Sequence, residues 1–244
     1  MQAAARASSV EHTSIGRIVI PAPLPEGFAL FYTTADYDGA IVPDLTAILR
    51  GRFGLEARLV TCTQVHGKNI RRVGAAAPGR PPAPEAGAAT PCDALFTADR
   101  RVALGIKVAD CLPVSLCDPA HRVIANIHSG WRGAVQDIAA ATLDTLARDT
   151  AFDPRAAYAY LGPSIRVCCF EVGEDVAAQF DAQWIDRTRG EKPHVDLAGM
   201  IADVLRRRGV RHVIDTGLCT RCDALFHSYR RDKKSGRNLA IAAQ

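Results

Sequence analysis

Four apolar segments follow one another closely in the middle of the chain: Ala94–Thr97, Val102–Val108, Val114–Cys117 and Val123–Ile127. Each is short, rich in aliphatic side chains, and separated from the next by a brief polar stretch, Asp118-Pro119 among them. Runs of this length, bounded by turn residues, pair with one another as strands, because that is how their backbone polar groups are satisfied once buried. Arg17–Ile20, Phe28–Thr33 and Ala57–Thr61 read as strands before this centre, and Ala157–Leu161, His212–Asp215 and Leu239–Ala242 as strands after it. Helical periodicity enters later. Val135, Ile138, Ala139, Thr142, Leu143 and Leu146 share one face and predict a helix over Ala134–Arg148. Val172–Phe180 reads as helical, and Leu197, Ile201, Val204 and Leu205 mark another helix, with Asp196 as N-cap and Gly209 as its stop. The expected class is α+β, with sheets covered by helices.

Composition bounds the function. The 244 residues carry 30 Lys+Arg against 26 Asp+Glu, a net charge of +4 that is too small and scattered to indicate nucleic acid. Hydrophobic residues at 48% with charged residues at 23% exclude a disordered chain. The best apolar run, Val102 to Cys117, is broken by Lys107 and Asp110 and cannot span a membrane. With no apolar signal segment at the N-terminus, the expectation is a cytoplasmic protein with its eight cysteines reduced, some of them ligands or nucleophiles. The stretch 74–91 carries five prolines among Ala and Gly and is expected to be a mobile loop inside one domain spanning 1–244.

Three segments end predicted strands with metal-capable or nucleophilic side chains: Gln64-Val65-His66-Gly67, Ala109-Asp110-Cys111-Leu112-Pro113, and His128-Ser129-Gly130-Trp131-Arg132-Gly133. Their separation fits a site assembled by folding. One Cys and two His suit Zn²⁺ and leave a fourth coordination position open. The plainer reading is that His66 and His128 cap strands and Cys111 is a core thiol. Gly67, Gly130 and Gly133 sit where backbone would approach a ligand closely. His128 would precede a helix N-terminus, an anion-attracting place that Arg132 would reinforce unless it serves a structural ion pair. Arg230, Arg231 and Arg237 form the main basic cluster, fit for phosphate or simply solvated. Cys219 and Cys222 form a C-x-x-C, but Cys168 and Cys169 are adjacent, a poor spacing for co-ligation, so buried or reducible thiols are expected rather than a second metal.

Together with Leu161-Gly162-Pro163-Ser164-Ile165, Phe170-Glu171-Val172 and Ser228-Tyr229-Arg230-Arg231-Asp232, these segments resemble, in order from about residue 28 to 244, the laccase-domain family. That family is also called multicopper polyphenol oxidase or purine nucleoside phosphorylase, and some bacterial members peptidoglycan editing factor. The resemblance implies a four-layer α/β/β/α sandwich with mixed sheets and a zinc site of His66, Cys111 and His128. It also implies phosphorolysis of adenosine, inosine and 5′-methylthioadenosine, with hydrolytic deamination of adenosine. Two departures, Arg166-Val167-Cys168-Cys169 and the long 74–91 stretch, bear on substrate access.

The leading expectation is therefore a zinc-dependent purine nucleoside enzyme. Cys111 and His128 would lie at the reacting centre, Asp110 would shuttle a proton unless it merely caps a turn, and Arg132, Arg230, Arg231 or Arg237 would hold phosphate. A metal-free cysteine hydrolase with Cys111 as nucleophile and His128 as base, cleaving an amide such as one in a cell-wall precursor, uses the same side chains. A copper oxidase is the weaker alternative, since only Met1 and Met200 are available as axial ligands. A non-enzymatic binding module is the fourth reading.

Overall fold

The computed structural model describes residues 8–38, 45–74, 91–233 and 236–244. The chain opens with strands β1 (Ser8–Thr13), β2 (Gly16–Pro21) and β3 (Ala29–Thr33), then helix α1 (Thr46–Phe53) and short strands β4 (Arg58–Val60) and β5 (Ile70–Arg72). The apolar centre forms β6 (Ala94–Thr97), β7 (Val102–Val108), β8 (Leu112–Asp118) and β9 (Val123–Ser129). Helices α2 (Trp131–Val135) and α3 (Ile138–Asp149) lead to β10 (Tyr158–Leu161) and α4 (Glu174–Ala177). A ribbon of β11 (Ile185–Asp186) and β12 (His194–Val195) precedes α5 (Leu197–Arg207), β13 (His212–Asp215), α6 (Tyr229–Asp232) and β14 (Asn238–Ala243).

The long strands form two six-stranded sheets, ordered β1-β2-β3-β14-β7-β4 and β13-β10-β8-β9-β6-β5. Pairing is antiparallel except for β4 with β7, β5 with β6 and β10 with β13, so both sheets are mixed. Side-chain alternation distributes each strand over two faces. On β14, Leu239, Ile241 and Ala243 join Ile48 and Leu49 of α1, while Ala240 and Ala242 face the second sheet with Leu104 and Ile124. On β9, Val123, Ala125 and Ile127 pack under α3 and α5 with Ile138, Leu143, Ile201 and Leu205. Three apolar layers result, and the order helix, sheet, sheet, helices is the four-layer sandwich that the sequence resemblance implies.

Asn126 shares the inward face of β9 with Ile124. It donates from Nδ2 to the carbonyls of Leu104 (3.1 Å) and Ala240 (2.8 Å), and Ser115 donates to its Oδ1 (3.0 Å). This buried amide stitches one sheet to the other, with both ends satisfied as burial requires. His128 falls on the same face two residues on, which aims it into the end of the crevice between the sheets.

Two helices differ from expectation. The segment predicted as one helix over Ala134–Arg148 is two, because Asp137 takes the left-handed conformation (φ 61°) that Asp tolerates better than most residues. The break preserves the apolar spacing beyond it, so periodicity alone does not reveal it. Only Glu174–Ala177 of the predicted Val172–Phe180 helix is α-helical. The α5 prediction holds: Gly199 N donates to the Asp196 carboxylate at 2.9 Å, and Gly209 has φ 92° past the last turn. All but the two ends of the stretch 74–91 lie outside the described residues.

Candidate metal centre and cleft

The loop carrying His66 is built around a carboxylate. Asp93, fully buried just before β6, accepts N–H bonds from His66 at Oδ1 (2.9 Å) and from Gly67 (2.8 Å) and Val65 (3.3 Å) at Oδ2. Gln64 clamps the same loop to β7, accepting from Lys107 N (2.8 Å) and donating to Lys107 O (2.7 Å). This support holds His66 at φ 61°, a conformation that a residue with a Cβ adopts at a cost. Asp93 Oδ1 also lies 2.8 Å from His128 Nδ1. A carboxylate accepts, so Nδ1 keeps its proton and the other ring nitrogen is the one that would face a metal, once a metal displaces the proton there.

Cys111 occupies the tight β7–β8 connection, where Asp110 has φ 86°. The ligand atoms of His66, Cys111 and His128 lie within 4.8 Å of one another, and the two rings meet edge to face with centroids 4.8 Å apart. Gly130 leaves room beside them, since a Cβ there would stand 3.2 Å from both Cys111 Sγ and His66 Cδ2 and crowd them. Gly133 permits the loop to close, because its Cβ would meet Gly67 O at 2.8 Å. Burial pushes the Cys111 thiol up, but His128 and then His66 beside it outweigh that and bring it down to about 6. Burial likewise opposes a proton on His128, yet Asp93 and Cys111 together raise it to about 9. For Asp93, burial opposes the charge while His128 and the Gly67 and His66 amides hold the carboxyl below its ordinary range. The donor set is thus one thiol poised to ionise and two imidazoles, that of His128 oriented by Asp93, which fits a borderline-soft cation such as zinc.

The three side chains open into a cleft of about 570 Å³, lined also by Lys107, Tyr229 and Arg237. A flank of about 280 Å³ continues past His66 and Cys111 to Trp131, Arg132, Phe170 and Arg230. Together these are of nucleoside size. Tyr229 is 55% exposed and borders both parts, an aromatic face available at the mouth. Arg132 stacks on Trp131 with its guanidinium carbon 4.3 Å from the ring centroid. The helix that Trp131 begins has only five residues, so the anion attraction expected from a long helix is weak there. Arg230 lies over Phe170 and donates to Glu171 O at 2.8 Å.

Two predicted residues have other duties. Arg231 spends its guanidinium on the carbonyls of Thr220 (2.9 Å) and Phe226 (2.7 Å) and on Asp232, so it braces the loop ahead of α6 rather than facing the cleft. Asp110 accepts from the Thr220 hydroxyl (2.6 Å) and the Arg230 amide (2.6 Å), one on each carboxylate oxygen. It caps and ties loops, the plainer of its two sequence readings. Sequence reasoning missed Asp93, Gln64 and Tyr229. Gln64 and Tyr229 stand inside the quoted motifs, but Asp93 follows the Pro-rich stretch with no pattern around it.

The family model described as multi-copper polyphenol oxidoreductase laccase matches residues 26–244. The chain belongs to that family. Among its curated relatives, a purine nucleoside phosphorylase of Streptomyces coelicolor is 34% identical over 220 residues, 86% of this chain and 87% of the relative. One of the same name from Deinococcus radiodurans is 41% identical over 154 residues, and there the match spans 61% of this chain and 60% of the relative. An adenosine deaminase from an unidentified prokaryote is 33% identical over 158 residues, 60% of each. The crystal structure of YlmD from Geobacillus stearothermophilus superposes with a TM-score of 0.79 at 24% identity, covering 96% of this chain and 98% of that one, a likeness of fold. The laccase-family membership therefore brings relatives named for purine nucleoside chemistry. Among the described residues no helix is long and apolar enough to cross a membrane.

Proposed function

We propose that the chain is a zinc-dependent purine nucleoside phosphorylase, acting on adenosine, inosine and 5′-methylthioadenosine, with hydrolytic deamination of adenosine as a second reaction of the same cleft. The observation that carries this reading is the convergence of His66, Cys111 and His128, with His128 oriented by Asp93, on a nucleoside-sized cleft flanked by arginines. The names of the relatives support the substrate class. Zinc is favoured over copper by the ligands, because Met200, the one methionine among the described residues, lies on α5 packed against the core and supplies no axial sulfur.

Bound zinc would supply Lewis acidity towards an oxygen of substrate or phosphate. The rest falls to the chain. Arg132, Arg230 and Arg237 border the cleft and hold phosphate, offsetting its charge and aiming one oxygen at C1′ of the ribose. As that oxygen bonds to C1′, the bond from C1′ to N9 breaks and its electron pair leaves with the base. Tyr229 offers a face on which the purine stacks. Asp110 fixes the Arg230 backbone and with it the reach of that guanidinium.

A second reading has one observation in its favour. Asp93, His128 and Cys111 form a hydrogen-bonded acid–base–thiol series, with the thiol already brought down to about 6, as a cysteine hydrolase of amide bonds needs. Product analysis separates the two. Zinc-loaded protein given adenosine and phosphate is expected to release adenine and ribose 1-phosphate, with inosine as the deamination product. No turnover of any purine nucleoside by the zinc-loaded protein, alongside amide cleavage by the stripped protein that stops on Cys111 alkylation, would replace the phosphorylase by the hydrolase.

A further inference from the structure

The two cysteine pairs that the sequence keeps apart are brought together. The sulfurs of Cys168, Cys169, Cys219 and Cys222 all lie within 4.8 Å of one another, at 3.8 Å for Cys168 with Cys222 and 3.2 Å for Cys169 with Cys222. Four sulfurs around one tetrahedral zinc, each bonded at about 2.3 Å, stand about 3.8 Å apart. The objection to adjacent cysteines holds for an extended chain, where neighbouring side chains point opposite ways. Here Cys169 N and Phe170 N both bond to Arg166 O (2.8 Å each), a helical turn in which neighbours diverge by only about 100°. The second pair is set beside the first by a parallel bridge of Ser164 with Cys219, in which Ser164 N bonds to Leu218 O (3.2 Å) and Thr220 N to Ser164 O (3.0 Å).

The surroundings suit an anionic cluster. The backbone amides of Arg166, Arg221 and Cys222 face the Cys219 sulfur, as amides of a C-x-x-C turn do around a thiolate. The Arg221 side chain bonds to Cys169, a cation beside sulfurs whose four negative charges a divalent ion would only half neutralise. No carboxylate or imidazole stands among the donors, and an all-sulfur tetrahedral set selects zinc or iron over hard cations. We propose that Cys168, Cys169, Cys219 and Cys222 form a second, structural metal site that takes zinc.

Its place in the fold gives it a task. The first pair precedes Phe170 and Glu171, which hold Arg230 by stacking and by a 2.8 Å bond, and the second pair flanks Thr220, which donates to Asp110 beside Cys111. A metal joining the pairs cross-links the loop of Phe170, which lines the flank of the cleft, to the loop of Thr220, which ties Asp110. It is independent of the His66, Cys111 and His128 ligands and of any reaction there.

The test is metal content of the full chain, reduced, loaded with excess zinc and then desalted. About two zinc ions per chain are expected, falling to about one in the double variant Cys168→Ser/Cys222→Ser, whose two positions are exposed. Cys111→Ser should lose the other equivalent instead, which keeps failure here distinct from failure at the first centre. Should the double variant not fold, thiol counting on the wild type decides. Five thiols masked until a chelator is added, these four and Cys111 at the first centre, support the site. Four thiols reactive throughout overturn it, as do two thiols recovered by reductant but not by chelator, the mark of a Cys169–Cys222 disulfide. Equal zinc in wild type and double variant also overturns it.

Discussion

Replacing Asp93 by Asn changes one atom of the side chain and tests how the centre is held. Four N–H donors converge on the two carboxylate oxygens: Val65 and Gly67 on Oδ2, His66 and the His128 ring on Oδ1. An amide has one acceptor oxygen, so two of these donors would face an NH₂ group. If the NH₂ replaces Oδ2, the His66 loop loses its anchor. If it replaces Oδ1, His128 must move its proton to the other nitrogen and present N–H where a lone pair is needed. Each buried donor left unpaired costs about 1–3 kcal/mol, offset in part because a buried charge is removed. The net expectation is a stability loss of about 2–4 kcal/mol in urea unfolding of the metal-free protein. Metal affinity, read by chelator competition, should fall about 10–100-fold, as when a partner that orients a ligand is lost. Stability within about 0.5 kcal/mol of wild type together with affinity within about twofold would refute this account of Asp93. The carboxyl is held below its ordinary range, so its contribution is present above the unfolded value and is lost as pH falls through the folded one.

The remaining predictions concern the neighbours of that carboxylate. Gly130→Ala leaves an allowed backbone (φ −70°) but places a methyl 3.2 Å from Cys111 Sγ and His66 Cδ2, so metal affinity should drop about 10-fold while stability changes by less than about 0.5 kcal/mol; chelator competition and urea unfolding measure the two. In metal-free protein, alkylation of Cys111 by iodoacetamide should reach half its plateau rate near pH 6, and His128→Ala should move that midpoint upward. The sign for stability follows: the lowered thiol contributes fully above its unfolded value near about 8.5 and loses that contribution as pH falls through 6. Arg230→Met should raise the KM for phosphate with unfolding unchanged. Arg231→Met should instead destabilise the protein by about 1–3 kcal/mol, because the Thr220 and Phe226 carbonyls lose their charged donor.

Strands and candidate ligands are the legible parts of this sequence, for different reasons. The centre from Ala94 to Ile127 is readable because strands buried on both faces have no polar alternation to hide them. His66, Cys111 and His128 are readable because rare, chemically capable side chains stand at strand ends with glycine beside them. Asp93 is invisible because its role exists only once β6 pairs with β9, Ala94 opposite Ile127, and brings residue 93 beside His128. The helix break at Asp137 is invisible because Ile138 and its successors keep the same apolar face. The proximity of the four cysteines is hidden in the sequence because residues 166–170 turn, which adjacency along the chain does not reveal. Arg230 and Arg231 are neighbours in sequence with different tasks, and only the turn at α6 separates the guanidinium bordering the cleft from the one that binds backbone.

The proposed dependence of nucleoside cleavage on a metal held by His66, Cys111 and His128 is best tested by the rate of adenine release from adenosine in saturating phosphate, measured on protein stripped with a chelator and then reloaded with zinc. The account predicts that stripping abolishes release, that zinc restores it in the wild type, and that zinc fails to restore it in His66→Ala or Cys111→Ser. Adenine release that survives stripping, or that zinc restores equally in those variants, would contradict it.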